Sequence, residues 1–153
     1  MHVTDTIFGL PTHTLVVHAA IVLLPLSALG AIIMGFSQRF SVRFGPVVVA
    51  VAAVGTVAAF GSRITGEEFA ERVGNPEEHA EAGELLPFIA VGFFVLLLLL
   101  WLLDRRGRRD LLTQIVGVAV IVAALILTGW TIRTGHSGAE ATWKAIVENT
   151  QPG

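Results

Sequence analysis

Four apolar runs, at about 14–36, 46–62, 85–103 and 111–132, dominate this chain. About 20 apolar residues in a helix cross a hydrocarbon core roughly 30 Å thick. No water enters that core, so every backbone N–H and C=O must be bonded inside the spanning segment itself. Of 153 residues, 54% are hydrophobic and 14% charged, where an average soluble domain has about 25% charged. The expected fold class is therefore all-α: an integral membrane four-helix bundle of two helical hairpins, forming a single transmembrane domain over 1–153. Cysteine is absent, which excludes disulfides, thiolate metal sites, iron–sulfur ligation and thioether-attached haem. No basic, aromatic-interleaved soluble surface is present, so nucleic acid is not an expected partner. No Ser, His and acid signature is present either, and no catalytic residue is assigned.

The punctuation between the runs sets expected boundaries. Residues 1–14 hold no Lys or Arg and the first apolar run is long, so it reads as a retained span rather than a cleavable signal. Pro11 is placed in the first turn of helix 1, Pro25 as a mid-span kink, and Pro46 at the opening of helix 2. Thr65-Gly66-Glu67-Glu68 reads as a capping box that opens a short outer helix from Gly66 to Val73, ended by Gly74. Asn75-Pro76-Glu77-Glu78 is a second capping signal, which starts helix 3 near Pro76, with a bend at Pro87. Ser137-Gly138-Ala139-Glu140 is a third, opening a short C-terminal interfacial helix with Trp143, Ile146 and Val147 near one another.

Charge gives the orientation. Arg39, Arg43, Arg105, Arg106, Arg108 and Arg109, six of the ten basic residues, lie in the two connections after helices 1 and 3. The positive-inside rule puts those turns in the cytoplasm and both termini outside, in a multi-pass protein of the cell membrane. Ten of the twelve acidic residues and all five histidines then fall on the outer side.

Candidate site residues collect there. His18 lies inside an apolar run, and an ionisable group at such a depth marks a functional site unless it is a neutral imidazole bonded to a neighbouring hydroxyl or carbonyl. His13 is five residues earlier, about 140° round a helix, so it does not share an ion with His18 from one rigid face. His18 is read as the deepest ligand and His13 as a supporting or entrance residue. His79 sits among Glu77, Glu78, Glu81 and Glu84, which also suits a solvated helix start. Glu67 is positioned to ligate a metal or orient an imidazole. His136, between Gly135 and Ser137-Gly138, lies where backbone freedom admits a bulky group or simply ends a helix. Arg133 and Trp130 meet the anionic and planar parts of a cofactor, or anchor the helix at the interface. Arg63-Ile64-Thr65-Gly66-Glu67 resembles Ile132-Arg133-Thr134-Gly135-His136, which suggests two similar hairpins around a shared outer cavity.

The run Pro11 to Ala20, with Thr65-Gly66-Glu67-Glu68-Phe69-Ala70-Glu71, His79, and Gly135-His136-Ser137-Gly138-Ala139 followed by Trp143, resembles a bacterial four-helix membrane family known as domain of unknown function 2231. Thr14 and Ala19 stand where relatives often have Pro and Phe, which alters neither imidazole. Relatives are sometimes fused to Rieske-type or c-type haem domains, which implies a redox setting and a bacterial cell membrane. Three functions compete. The first is a b-type haem (haem b) held at the outer end by His18 and His136, with His13, Arg133 and Trp130 around it, exchanging electrons with a partner protein in the membrane or on its outer face. The second is a zinc, copper or iron ion held by His18, His79, His136 and Glu67. The third is an accessory subunit without cofactor. Whether the protein is an enzyme is left open, the lipid bilayer is its solvent, and a homodimer is compatible with the sequence.

Overall fold

A computed structural model describes residues 6–7, 10–73 and 77–150, with side chains over 12–66 and 81–140 and at Trp143 and Thr150. Two short strands, β1 (Thr6–Ile7) and β2 (Leu10–Pro11), pair antiparallel with Thr6 opposite Pro11. Then come α1 (Thr12–Phe36), α2 (Gln38–Val73), α3 (Glu77–Asp104) and α4 (Leu111–Thr150). All four helices contain stretches long and apolar enough to cross a membrane. Helix α1 packs on α2 and α4, α3 packs on the same two, and α1 hardly touches α3. The helices thus form a ring, with α1 and α3 on one diagonal.

Side-chain size explains which faces turn inward. Leu24, Ala28, Ala31 and Met34 of α1, Ala52 and Ala59 of α2, Ala90, Phe93, Leu97 and Leu100 of α3, and Val120, Ala124 and Leu127 of α4 are buried. Large apolar residues such as Val22, Leu29, Ile33, Val57, Val95, Leu125 and Ile126 are exposed, which in lipid costs nothing and leaves the small residues to bring helices together. Several hydroxyls within the spans are bonded inside their own helix: Ser27 donates to the Leu24 carbonyl, Thr56 to Ala52, Thr128 to Ala124 and Thr131 to Leu127. Each such bond removes a polar group from the apolar medium.

Four helices apolar enough to cross a membrane are present as expected, but several helix ends differ. Helix α2 opens at Gln38, not at Pro46. One residue, Ser37, joins it to α1, and the Phe40 N–H donates to Ser37 Oγ at 3.3 Å as an N-cap. Pro46 sits inside the helix, where it deprives only the Val42 carbonyl of a partner; stopping the helix at a membrane face would strand several more groups. The capping box at Thr65 does not form. Thr65 Oγ1 instead donates back to the Gly61 carbonyl at 2.8 Å, and the expected short outer helix is the end of α2. Likewise Ser137 Oγ donates to the Thr134 carbonyl at 3.0 Å, and the expected C-terminal interfacial helix is the last part of α4. Pro11 belongs to β2, one residue before α1. Gly74, Asn75 and Pro76 lie outside the described residues, and α3 is described from Glu77.

The arginine-rich end is built more tightly than its charge suggests. Gly107 takes φ 87°, a left-handed conformation suited to ending α3, and its N–H donates to the Asp104 carbonyl at 3.2 Å. Asp110 then caps α4: its Oδ1 accepts from the Thr113 N–H at 2.9 Å and from the Thr113 hydroxyl at 2.7 Å. The backbone bond from Thr113, then its hydroxyl, and the Arg108 and Arg106 charges hold the Asp110 carboxyl below the usual carboxylate value against a small desolvation cost. Because the folded value is the lower one, the cap stabilises the fold at pH above the ordinary aspartate pKa of about 4, and this contribution is lost as pH falls through the folded value. Asp110→Ala is expected to lower the thermal midpoint in detergent at pH 7, while Asp110→Ser keeps most of it. The gap between wild type and the alanine variant should narrow as pH falls through the carboxyl's folded value, and a gap unchanged over the whole acid range would assign the effect to something other than the carboxylate.

Candidate functional site

The two histidines of the first turns diverge, as their spacing requires. His13 faces α2, where its Nδ1 lies 3.0 Å from Thr65 Oγ1. Thr65 has committed its proton to the Gly61 carbonyl, so the imidazole is the donor and its Nδ1 carries hydrogen. Close approach is possible because Gly66 lacks a side chain; a Cβ there would lie 3.0 Å from His13 Cε1. His13 is thus an interhelical clasp between α1 and α2.

His18 faces outward. It belongs to the exposed stripe Thr14, His18, Val22, Leu26, Leu29, Ile33 and Phe36 of α1. Its Nδ1 lies 2.6 Å from the Thr14 carbonyl oxygen, one turn back. A carbonyl only accepts, so Nδ1 again carries the proton, and in the neutral ring Nε2 presents a lone pair. Carbonyl-anchored imidazoles of this kind are the usual metal-ligating form, with ring orientation and tautomer fixed by the bond to the other nitrogen. His18 begins about 9 Å along the helix from Thr12 at 1.5 Å per residue, on a face whose next three stripe residues are apolar.

His136 is exposed on α4. Its neighbour Gly135 packs against α1, since a Cβ there would meet Ile21 Cδ1 at 3.5 Å. From that contact, His18 is three residues back on α1 and His136 one residue on along α4. Both therefore stand at about the same height, within roughly one helical turn, on the outward side of the α1–α4 seam. Trp130 turns the other way: its indole N–H donates to the Ala82 carbonyl of α3 at 2.9 Å, and Arg133 lies over its ring at 5.2 Å. Trp130 thereby ties α4 to α3, and Arg133 covers its ring from the same helix. The side chains of Glu67 and His79 lie outside the described residues, although the chain is helical at both positions.

The two similar segments near the helix ends share a local role. Thr134 donates to the Trp130 carbonyl at 2.9 Å as Thr65 does to Gly61, Gly135 meets α1 as Gly66 does, and Arg63 lies over Phe88 at 5.6 Å as Arg133 lies over Trp130. Among the described residues, no three His, Cys, Asp or Glu side chains come together in a group able to hold a metal ion. What the structure brings together is His13 with Thr65; His18 and His136 are both exposed, on α1 and α4 to either side of the Ile21–Gly135 contact.

Sequence reasoning missed the buried ion pair at the opposite end. Asp104, fully buried, accepts from Arg109 Nε at 2.9 Å (Oδ1) and Nη2 at 2.8 Å (Oδ2). The signal was an acid and an arginine five residues apart across a glycine turn, hidden among four arginines of one sequence class.

No curated protein and no solved structure matches the chain. A family model described as "Predicted membrane protein (DUF2231)" matches residues 9–151, which is nearly the whole chain and includes every candidate site residue. The protein belongs to that family of membrane proteins.

Proposed function

We propose that this membrane protein binds b-type haem through His18 and carries electrons across or along the membrane face at that end of the bundle. The observation that carries this reading is the His18 imidazole itself, held by the Thr14 carbonyl with its ligating nitrogen turned away from the protein. A neutral imidazole in that state is ready to ligate iron without losing a proton, and non-covalent haem with histidine ligands is the haem chemistry open to a chain without cysteine. The apolar stripe running from His18 to Phe36 suits the porphyrin edge. His136, on the same seam, stands beside the macrocycle. His13 and Trp130 support the site indirectly by fixing α1 on α2 and α4 on α3, and Arg133 covers the Trp130 ring. His79 and Glu67 remain in the proposal as outer-shell residues of the same end.

In this reading the arginine-rich turns face the cytoplasm and the haem end faces out, so the electron partner is a membrane or extracytoplasmic protein. When bound, the haem supplies one-electron chemistry; the chain supplies the ligand, its tautomer and a low-dielectric surround. Protein expressed with haem supplementation is expected to show a Soret band that shifts on dithionite reduction. His18→Ala abolishes it, and His13→Ala reduces it less, through loosened α1–α2 contact. A colourless wild-type preparation after haem reconstitution, with metal analysis also negative, sinks this reading and leaves the accessory subunit.

A further inference from the structure

We propose that the chain holds one anionic phospholipid on the outward face of α2, with an acyl chain in the groove lined by Leu23, Pro46, Val47, Ala50, Val51 and Val54 and the phosphate between Arg39 and Arg43. This site lies at the arginine-rich end and is independent of what the histidines bind. The groove is open to its surroundings, has a volume of about 420 Å³ and is apolar throughout. Helix α1 forms one wall: Gly55 of α2 lets Leu23 approach, since a Cβ there would lie 3.3 Å from Leu23 Cβ. From Val54 to Pro46 the groove runs about 12 Å at 1.5 Å per residue. That is close to half of a hydrocarbon core about 30 Å thick, the share that one lipid leaflet fills.

Residue spacing joins the groove to charge. Arg39, Arg43, Val47, Ala50 and Val54 succeed one another at steps of three or four residues and are all exposed, so they form one stripe along α2. Arg43 stands one turn beyond the groove and Arg39 one turn farther, at the level of the head group of a lipid whose chain fills it. Two guanidiniums at i and i+4 repel each other, and an anion between them replaces that repulsion with two attractions. The carboxylates at this end are committed elsewhere: Asp104 is gripped by Arg109, and Asp110 caps α4 through Thr113. Arg43 lies over the Phe44 ring at 5.3 Å, which occupies the face of the guanidinium and leaves its N–H edge for phosphate oxygens. A basic pair at the mouth of an apolar groove between helices suits an anionic head group, whereas a zwitterionic lipid brings a cation of its own to the arginines. A second copy of this chain packed here about an axis along the membrane normal would set arginines against arginines.

The test is native mass spectrometry of the protein released from mild detergent after mixing with phosphatidylglycerol and phosphatidylcholine of identical acyl chains. The expected result is one phosphatidylglycerol retained per chain in preference to phosphatidylcholine. Arg39→Gln with Arg43→Gln lowers that preference about 25-fold, roughly fivefold for each arginine. Arg105→Gln with Arg106→Gln removes the same charge from exposed positions off the stripe and leaves the preference in place. Ala50→Phe fills an exposed groove position without touching the arginines and weakens phosphatidylglycerol retention. All the substituted sites are exposed, so circular dichroism and the thermal midpoint should match wild type, and the comparison of the two lipids on wild-type protein needs no variant. Equal retention of the two lipids, equal losses from the two arginine pairs, or full retention by Ala50→Phe overturns the proposal.

Discussion

Arg109→Ala is expected to cost about 3–5 kcal/mol of stability, the usual penalty for stranding one partner of a buried pair. The same change at Arg105 or Arg106, both exposed, costs little. Arg109 grips the Asp104 carboxylate with two parallel bonds and donates to the carbonyls of Met34 and Gly35 in the last turn of α1. Gln38 Nε2 of α2 donates to the Asp104 carbonyl at 3.0 Å. One guanidinium thereby links the end of α1 to the end of α3 immediately before α4 begins. Its loss leaves a fully buried carboxylate uncompensated and two helix-end carbonyls without donors. Arg109→Lys should recover only part of the loss, because a point charge cannot fork to the carboxylate and reach two carbonyls as well. Exchanging the two residues, Asp104→Arg with Arg109→Asp, restores opposite charge but aims a carboxylate at the α1 carbonyls, and is expected to fail. Denaturant unfolding in micelles measures all of these. A penalty at Arg109 no larger than at Arg106 would remove the lock from the account of stability.

The four apolar helices were legible because hydrocarbon thickness and backbone bonding leave little freedom, and each expected run lies inside a helix long and apolar enough to cross a membrane. The helix ends were not. The misread ends at Thr65 and Ser137 rested on a Ser or Thr followed three residues later by an acid, a pattern that caps a helix only when the chain arrives from a non-helical direction. At Thr65 and Ser137 it arrives already helical, and the same hydroxyl bonds the carbonyl three or four residues back instead. The pattern cannot distinguish the two. Pro46 misled in the opposite sense, since proline marks a first turn in water but is tolerated within a membrane helix.

The arrangement of the candidate residues was legible only in part. The five-residue spacing of His13 and His18 required different faces, and the structure gives them different faces. Which face turned inward was not readable, because α1 is apolar nearly all round and lipid does not reward burying one side over another. The deciding contact is Gly66, where the missing side chain lets α2 close on His13. A lone glycine beside Thr65 reads in sequence as part of a cap, and only the partner helix shows it as a recess.

That role of glycine leads to the second large effect, at Gly35. A Cβ there would lie 2.7 Å from Ile121 Cγ1 and 3.2 Å from the Gly117 carbonyl oxygen, and a Cβ on Gly117 would in turn lie 3.6 Å from the Gly35 carbonyl oxygen. The two backbones approach closely here at facing glycines, with the Ile121 side chain alongside, as small residues allow in lipid. Ile121 can shift, but the Gly117 carbonyl moves only with α4 itself. Gly35→Val should therefore push α4 off α1 and displace the same Gly35 carbonyl that Arg109 caps, so its cost is expected to lie at or above the 1–3 kcal/mol of ordinary overpacking. Gly92→Ala and Gly129→Ala serve as controls. Both are helical glycines with nothing within 4 Å of an added Cβ, and gaining a better helix former should leave them neutral or stabilised by up to about 1 kcal/mol. Because Gly35→Val and Arg109→Ala act on one contact, their double variant should lose less than the sum of the two. Strict additivity in the same unfolding assay would mean that the α1–α4 approach and the arginine lock are independent, and that Arg109 holds α1 and α3 together without help from the glycine pair.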